Sequence, residues 1–556
     1  MIQKFAVFIV LTCTCLISNS AASQQHIFMV DTTVTLVDAN ESPYNMVQPG
    51  DTLLFAGGQR SLLRIMNFTG EKERPIIFMN SGGQIIIDTD HYYGISILNC
   101  RFFRLTGTGD VNHFYGIRVS RVANGAGLGI GGMSSDYEID HISIENCKSA
   151  GMFAKTDPDC SFTSTREKFT QYNTLIHDNY IGHVGTEGLY IGSTQYFGQT
   201  VKCNGVDTLL LPSLLEGVKV YNNIIEYSGW DGIQVSSASG DCQVFDNIVL
   251  FDSQQEYYGQ MSGIIIGGGS KCDCYNNFIS QGKGQGIQVF GLAGERIFNN
   301  VIIDAGKYFF PTDTTRRVYG IFVSDISAEA DSSFTIVFNT ILNPKTDGIR
   351  FVSIVTKKNL IASNAIINPG AYDYYENGNT SFTGNDAYVM LPDPRSDVLV
   401  KNNYMARNSD NAKFAADGYS LLEGSPLINA AWADGNTITF DFFNNARPYG
   451  ASADIGAVEF DPSVAGTPGQ LTGNPDIFPN PVKTWLTIQY KTNTSSEVYM
   501  AIYTLAGVLV LDEKQLPADI GLQSMHINVS RLAAGIYIYT LRSGNLTSTG
   551  KFIKQN

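Results

Sequence analysis

Charge is scarce in this 556-residue chain: Lys, Arg, Asp and Glu together make up only 16% of it. What charge there is leans one way, with 37 basic against 52 acidic residues and a formal net charge of −15. Such a chain repels a phosphate backbone, so nucleic acid is a poor partner. The excess does not exclude an anionic polysaccharide, but that ligand would need a local basic patch. Long hydrophobic runs are missing beyond the N-terminus, and no membrane span is expected there. Residues 1–23 have the layout of a secretory signal peptide, with Lys4, an apolar stretch over 5–17 and the small residues Ala21-Ala-Ser. The apolar stretch is too short to span a bilayer, so the mature protein is expected to be exported and soluble. Cysteine spacing of the zinc-site kind is also missing; beyond the N-terminal stretch only Cys272 and Cys274 lie close together. Cys13 and Cys15 fall in the signal, and the seven that remain are an odd number, so at least one is unpaired within the chain.

Glycine, by contrast, is plentiful at 55 residues, with many Tyr, Phe, Asn, Ser and Thr, which suits strands and turns around a long core. The glycines introduce short strand-like runs: Gly151-Met-Phe-Ala, Gly188-Leu-Tyr-Ile, Gly232-Ile-Gln-Val, Gly263-Ile-Ile-Ile, Gly286-Ile-Gln-Val, Gly320-Ile-Phe-Val and Gly348-Ile-Arg-Phe, with Gly116-Ile-Arg-Val ahead of them. Asn179, Asn223, Asn277 and Asn339 each precede their glycine by nine residues. A repeat of strand, asparagine turn, strand and glycine turn predicts the coils of a β-solenoid. Equivalent residues on successive coils then lie about 4.8 Å apart. A turn asparagine can bond the backbone and its own copies in neighbouring coils. Asn179, Asn223, Asn247, Asn277, Asn300, Asn339, Asn364 and Asn403 are assigned to such a ladder, and His141 aligns with it. Cys242 and Cys272 each lie five residues before a ladder asparagine, which allows a disulfide between adjacent coils or two buried thiols.

Coil length is uneven. Asn223 to Asn247 is 24 residues, but Asn179 to Asn223 is 44. The excess around 193–216, and the segment 157–171 one coil earlier, must loop out and wall a cleft. A further loop is expected at 307–318. Residues 462–476 are rich in Pro, Gly, Ser and Thr and read as a linker. Beyond it, alternating runs over 477–556 predict a small β-sandwich. The fold class is thus all-β, with a solenoid over 24–461 that includes opening and closing caps.

Two resemblances follow from specific residues. Phe478-Pro-Asn-Pro-Val, Ala501-Ile-Tyr-Thr-Leu-Ala-Gly, Ile527-Asn-Val-Ser-Arg-Leu-Ala-Ala-Gly-Ile-Tyr and the closing Lys551-Phe-Ile-Lys are similar to the type IX secretion C-terminal sorting domain. That resemblance implies a Gram-negative origin, handling by the type IX machinery, and a secreted or outer-membrane surface location. The opening Pro49-Gly-Asp-Thr-Leu-Leu and Pro75-Ile-Ile-Phe, with Asp454-Ile-Gly-Ala-Val-Glu near the end, resemble the right-handed parallel β-helix of the pectate-lyase-like superfamily. A fold does not fix a reaction. The complete motifs of polygalacturonases and of calcium-dependent pectate lyases are missing. Ile139-Asp-His-Ile-Ser resembles a pectate-lyase strand, but its partner arginine motif is missing.

Candidate chemistry comes from the outward residues after each glycine, since side chains alternate along a strand. That column is assigned Arg118, Phe153, Tyr190, Gln234, Ile265, Gln288, Phe322 and Arg350, with Lys155 and Ser236 in the next. Arg118, Phe153 and Gln234 are the expected substrate contacts, because sugars present apolar faces and hydroxyl edges. An ordinary solvated face is the plainer reading of the same column. Glu187 and Asp231 precede their glycines on adjacent coils, with backbones about 5 Å apart, where a retaining hydrolase needs two carboxyl groups at roughly 5–5.5 Å. Two acids in neighbouring turns also arise by chance. A lyase would instead use Lys155 or Tyr190 as base, with Arg118 offsetting a uronate carboxylate. His177 and His183 are further candidates near the same coil. Calcium is a possible cofactor, held by Asp157, Asp159 and Glu187. The expectation is a carbohydrate-active β-helix that cleaves an acidic polysaccharide by β-elimination or hydrolysis, or else a non-catalytic glycan-binding surface protein.

Overall fold

A computed structural model of the chain describes residues 25–460 and 475–554, apart from 111–112, 373–385, 416–417, 434–437, 479, 481, 493–497, 505–508, 516–520 and 544–545. The expected signal peptide and residues 462–474 of the expected linker lie outside the described residues. Each coil supplies up to three short strands, as in Lys219–Tyr221, Ile224–Ser228 and Ile233–Val235. Stacked coils bring like strands together in three parallel columns. The first two columns make up a 23-stranded sheet, and the third a 12-stranded one. The fold is an all-β parallel β-helix.

The core comes from alternation. Ile181, Ile225, Val249, Ile279, Ile302 and Ile341 stack in register down the second column and are buried. Each such side chain contributes about 1.5–3 kcal/mol by leaving water. The recurring glycine marks a close approach. A Cβ at Gly188 would lie 2.5 Å from the Gly232 carbonyl oxygen and 2.6 Å from Ile225.

The asparagine turn is built as the repeat implies. Asn247 Nδ2 donates to Asn277 Oδ1 at 3.0 Å, Asn277 Nδ2 to Asn300 Oδ1 at 3.0 Å, and Asn300 Nδ2 to Asn339 Oδ1 at 2.9 Å. The residue before each rung is left-handed, as at Asp178, Asn222, Asp246 and Asn276, where short polar side chains tolerate a positive φ. His141 (φ 56°) belongs to that left-handed set rather than to the ladder. The rung position of its coil is Ile142, whose N–H donates to Asn179 Oδ1 at 3.1 Å. One glycine run is also reassigned. The strand Ile117–Val122 that follows Gly116 pairs with Ile142–Glu145 in the second column. The third-column strand of that coil is Ala126–Gly131, with Leu128 opposite Met152.

Cys242 and Cys272 form the disulfide expected from their register, and a second joins Cys160 to Cys203; Cys100, Cys147 and Cys274 are free and buried. At the far end, Arg447 fixes the closing cap. It donates to the carbonyls of Asp454, Gly456 and Ala457, pairs with Glu459 and lies over Phe338. The C-terminal strands form two antiparallel sheets around Leu486, Ile488, Met500, Ile502 and Phe552. Tyr503 and Ile538 of this domain pack with Phe114, Tyr115, Tyr180 and Ile224 of the β-helix, and Lys551 Nζ donates to the Asn222 carbonyl at 2.8 Å. Among the described residues no helix is long and apolar enough to cross a membrane.

Candidate functional site

The third column sets the outward face by register. Phe153 lies opposite Gly129 on one side and Tyr190 on the other, followed by Gln234, Ile265, Gln288, Phe322 and Arg350 on successive coils. The Phe153 and Tyr190 rings are 5.5 Å apart. Space opens beside them, since a Cβ at Gly129 would meet nothing within 4 Å. Lys155 Nζ lies 4.7 Å from the Tyr190 ring centroid and 2.9 Å from Asp157.

The loops after this column stand as one wall. Strands Thr170–Tyr172, Leu214–Glu216 and Ala238–Gly240 stack into a small parallel sheet. A hairpin of Gln199–Cys203 and Val206–Leu210 extends from it, and the Cys160–Cys203 disulfide ties the two long loops together. Arg166 lies 4.4 Å over the Tyr196 ring and holds this wall further. On the other side, Trp230 stacks on Tyr257 at 4.5 Å, and Tyr258 is 94% exposed.

Between the walls, Glu187 and Asp231 sit in register on adjacent coils. The Gly151 N–H donates to the Glu187 carbonyl, and the Gly188 N–H to the Asp231 carbonyl. Both side chains are buried. Burial pushes the Glu187 carboxyl up, with Lys155 working the other way. Burial also pushes Asp231 well above the usual carboxylate range, and Glu187 and Asp252 add to the rise. Ser262 lies close enough to the Asp231 carboxyl to oppose that rise, and its hydroxyl donates to Gln288 Oε1 at 3.0 Å. Thr186 lies against the Glu187 carboxyl in the same way. Neither end of the Gln234 amide has a hydrogen-bond partner, and the Ser236 hydroxyl, the Trp230 N–H and one Asp252 oxygen are also buried without one.

The structure gathers six of the seven residues singled out from the sequence: Phe153, Lys155, Glu187, Tyr190, Asp231 and Gln234. Arg118 is the exception. It lies on the second column and is held by Glu145 at 3.0 Å. Gly-Ile-Arg-Val fits either column, and only the pairing of whole strands decides. Asp252 joins the site without being among those seven. Its signal in the sequence is a 30-residue step from Asn247 to Asn277 against 24 for the step before, with the excess in the turn that carries Asp252.

The calcium set does not come together. Asp157 pairs with Lys155, Asp159 accepts from Ser161 within its own loop, and Glu187 is buried. These residues do not fit a shared cation. Another group does converge on the first column, where Glu138, Asp140 and His177 offer ligand atoms within 4.8 Å of one another. Arg104 already bridges both carboxylates at 3.0 and 2.7 Å. Burial opposes charge on His177, but its bonds to Asp178 and Glu138 prevail and push the imidazole up to about 9. With Arg104 on both carboxylates and the His177 ring nitrogens bonded to Asp178 and Glu138, the group is built as a charge network. His183 stacks on Tyr227 at 4.8 Å as part of an aromatic row.

Comparison with known proteins agrees with this architecture. Residues 213–387 match the right handed beta helix region family, and residues 476–555 match the secretion system C-terminal sorting domain. The protein is a right-handed parallel β-helix that carries a type IX secretion sorting domain. That domain directs the chain to the cell surface or beyond it. No curated protein sequence matches the chain. Among solved structures it is similar to pectate lyase Pel9A, at 14% identity and a TM-score of 0.42 over 79% of this chain and 97% of that one. It is also similar to the GH136 lacto-N-biosidase from Eubacterium ramulus, at 13% identity and 0.39 over 68% of each chain. A third is the enzymatically active domain of bacteriophage CBA120 tailspike protein 2, at 11% and 0.36 over 91% of this chain and 72% of that one. Likeness at this level carries no argument about the reaction.

Proposed function

We propose that the protein is a glycan hydrolase delivered to the surface of a Gram-negative cell. The observation that carries this reading is the pair Glu187 and Asp231, in register on adjacent coils and buried on one loop-walled face. A glycosidase needs one carboxyl that keeps its proton and one that gives it up. Burial, Glu187 and Asp252 all act to keep the proton on Asp231, which suits the general acid. Glu187, with Lys155 nearby, suits the nucleophile or base. Phe153 and Tyr190 supply a platform for a sugar face, and Gln234 a polar contact.

The test is incubation of the purified protein with a panel of neutral and uronate polysaccharides, following both reducing ends and the ultraviolet absorbance of unsaturated ends. Hydrolysis predicts reducing ends alone, lost in Glu187→Gln and Asp231→Asn. A second reading, β-elimination, rests on Lys155 Nζ standing 4.7 Å from the Tyr190 ring, which pairs a cation with a phenol that could serve as base. It predicts unsaturated ends, lost in Tyr190→Phe. Binding with neither product would leave a glycan-binding surface protein and end the enzyme reading.

A further inference from the structure

Four side chains at the base of the cleft hold buried polar atoms with no partner in the protein. They are Trp230, Gln234, Ser236 and Asp252. Gln234, Ser236 and Asp252 are at most 1% exposed. A buried polar group left unpaired costs about 1–3 kcal/mol, so four together would cost on the order of 8 kcal/mol, a large fraction of the stability of a domain. Such a cluster is maintained where something else completes its hydrogen bonds. Glycine keeps the space open, since a Cβ at Gly267 would lie 2.0 Å from Ser236 Oγ.

The chemistry of the set is specific. It offers an amide, a hydroxyl, an indole N–H and a carboxyl group, and it contains no ammonium or guanidinium. The cations that border the face are matched already: Lys155 by Asp157, Lys283 by Glu256, Arg350 by Asp347, and Arg166 of the loop wall by the carbonyls of Tyr196 and Pro212. Arg118 is on another face, paired with Glu145. A uronate carboxylate entering here would meet Glu187, Asp231 and Asp252, with none of these cations free to offset it. A hydroxyl both donates and accepts, and it can satisfy an amide, a carboxyl and an indole N–H in turn.

We infer that the cleft takes a neutral glycan, a chain of uncharged hydroxyl-bearing sugars, rather than the acidic polysaccharide expected from the sequence. This rests on the glycan reading of the same site and narrows it. A site built to bond hydroxyls discriminates by leaving its own polar groups unpaired when the wrong ligand enters.

The experiment is calorimetric binding of the full-length mature chain to two sets of oligosaccharides, with product analysis of each mixture. One set is neutral (β-linked glucose, xylose, mannose and galactose), the other uronate (galacturonate, mannuronate and guluronate). The expected result is binding to at least one neutral oligosaccharide, weakened about tenfold or more by Gln234→Leu and by Ser236→Ala, and unchanged by Arg118→Ala. Leucine for an unpartnered buried glutamine leaves the fold intact, and the serine variant is smaller still. Tighter binding of a uronate oligosaccharide than of any neutral one overturns the inference. Uronate cleaved to reducing ends alone overturns the substrate class and leaves hydrolysis standing. A neutral glycan bound but not cleaved does the reverse. No binding in either set overturns both.

Discussion

Two rows of buried polar side chains run along the same solenoid, and they are built in opposite ways. In the asparagine turn every rung is saturated. Asn277 donates to the carbonyls of Val244 and Tyr275 and to Asn300 Oδ1, and its own oxygen accepts from the Asn247 backbone and side chain. Across the coil, Gln234 and Ser236 are equally buried, yet neither the Gln234 amide nor the Ser236 hydroxyl has a partner. Burial alone does not separate scaffold from site. Saturation does: the ladder spends its hydrogen bonds on the next coil, while the cleft holds its own in reserve.

The largest effect expected from this contrast is on the cleft side. Asp231→Asn is predicted to lower glycan cleavage by about 10³-fold or more, roughly 4 kcal/mol of transition-state stabilisation. The fold should not suffer, because asparagine is the same size, stays neutral and keeps an oxygen to accept from Ser262. Equal losses of activity and thermal stability in this variant would place Asp231 with the scaffold and break the contrast.

Next comes the ladder. Asn277→Leu removes the bonds named above and leaves buried partners on both neighbouring coils unpaired. Its expected cost is about 3–4 kcal/mol of unfolding free energy, read from denaturant unfolding. Gln234→Leu in the same assay should be neutral or stabilising. If the two leucine variants lose stability alike, the Gln234 amide has protein partners and the distinction fails.

Much of this contrast is legible in the amino-acid sequence, and the reasons are local. The asparagines repeat because each rung bonds the next with the same geometry, so period and chemistry coincide. Cys242 and Cys272 can be placed because they stand in that register. Cys160 and Cys203 sit in the loops, where no register applies, and only the folded loops bring them together. Arg118 misleads for a related reason. Gly-Ile-Arg-Val is a good strand start in either of two columns, and a four-residue pattern does not specify which neighbouring strand it pairs with. The outward column from Phe153 onward is recoverable from the repeat, but the unpaired amide of Gln234 within it is not. Whether a buried amide is satisfied depends on atoms from three coils at once.

The smallest predicted effect is also the most direct test of whether the reserve is real. Burial pushes the Asp252 carboxyl up from 3.8 to about 6, against the bonds it accepts from Ser253 and the Gly284 N–H. The folded state therefore holds that proton more tightly than the unfolded chain does. The stability this provides is fully present below about pH 4 and is lost as pH rises through about 6. The rise corresponds to at most about 3 kcal/mol. Asparagine stays neutral throughout and can still accept from Ser253 and Gly284 through Oδ1. Asp252→Asn should thus gain on the parent protein between about pH 4 and pH 7, with no further gain above that range. Asn277→Leu should instead trail the parent by the same margin at every pH, since an amide does not titrate. Parallel curves for Asp252→Asn and the parent would mean that water already satisfies the Asp252 carboxyl, and the unpaired atoms beside it would then be solvated rather than waiting for a ligand.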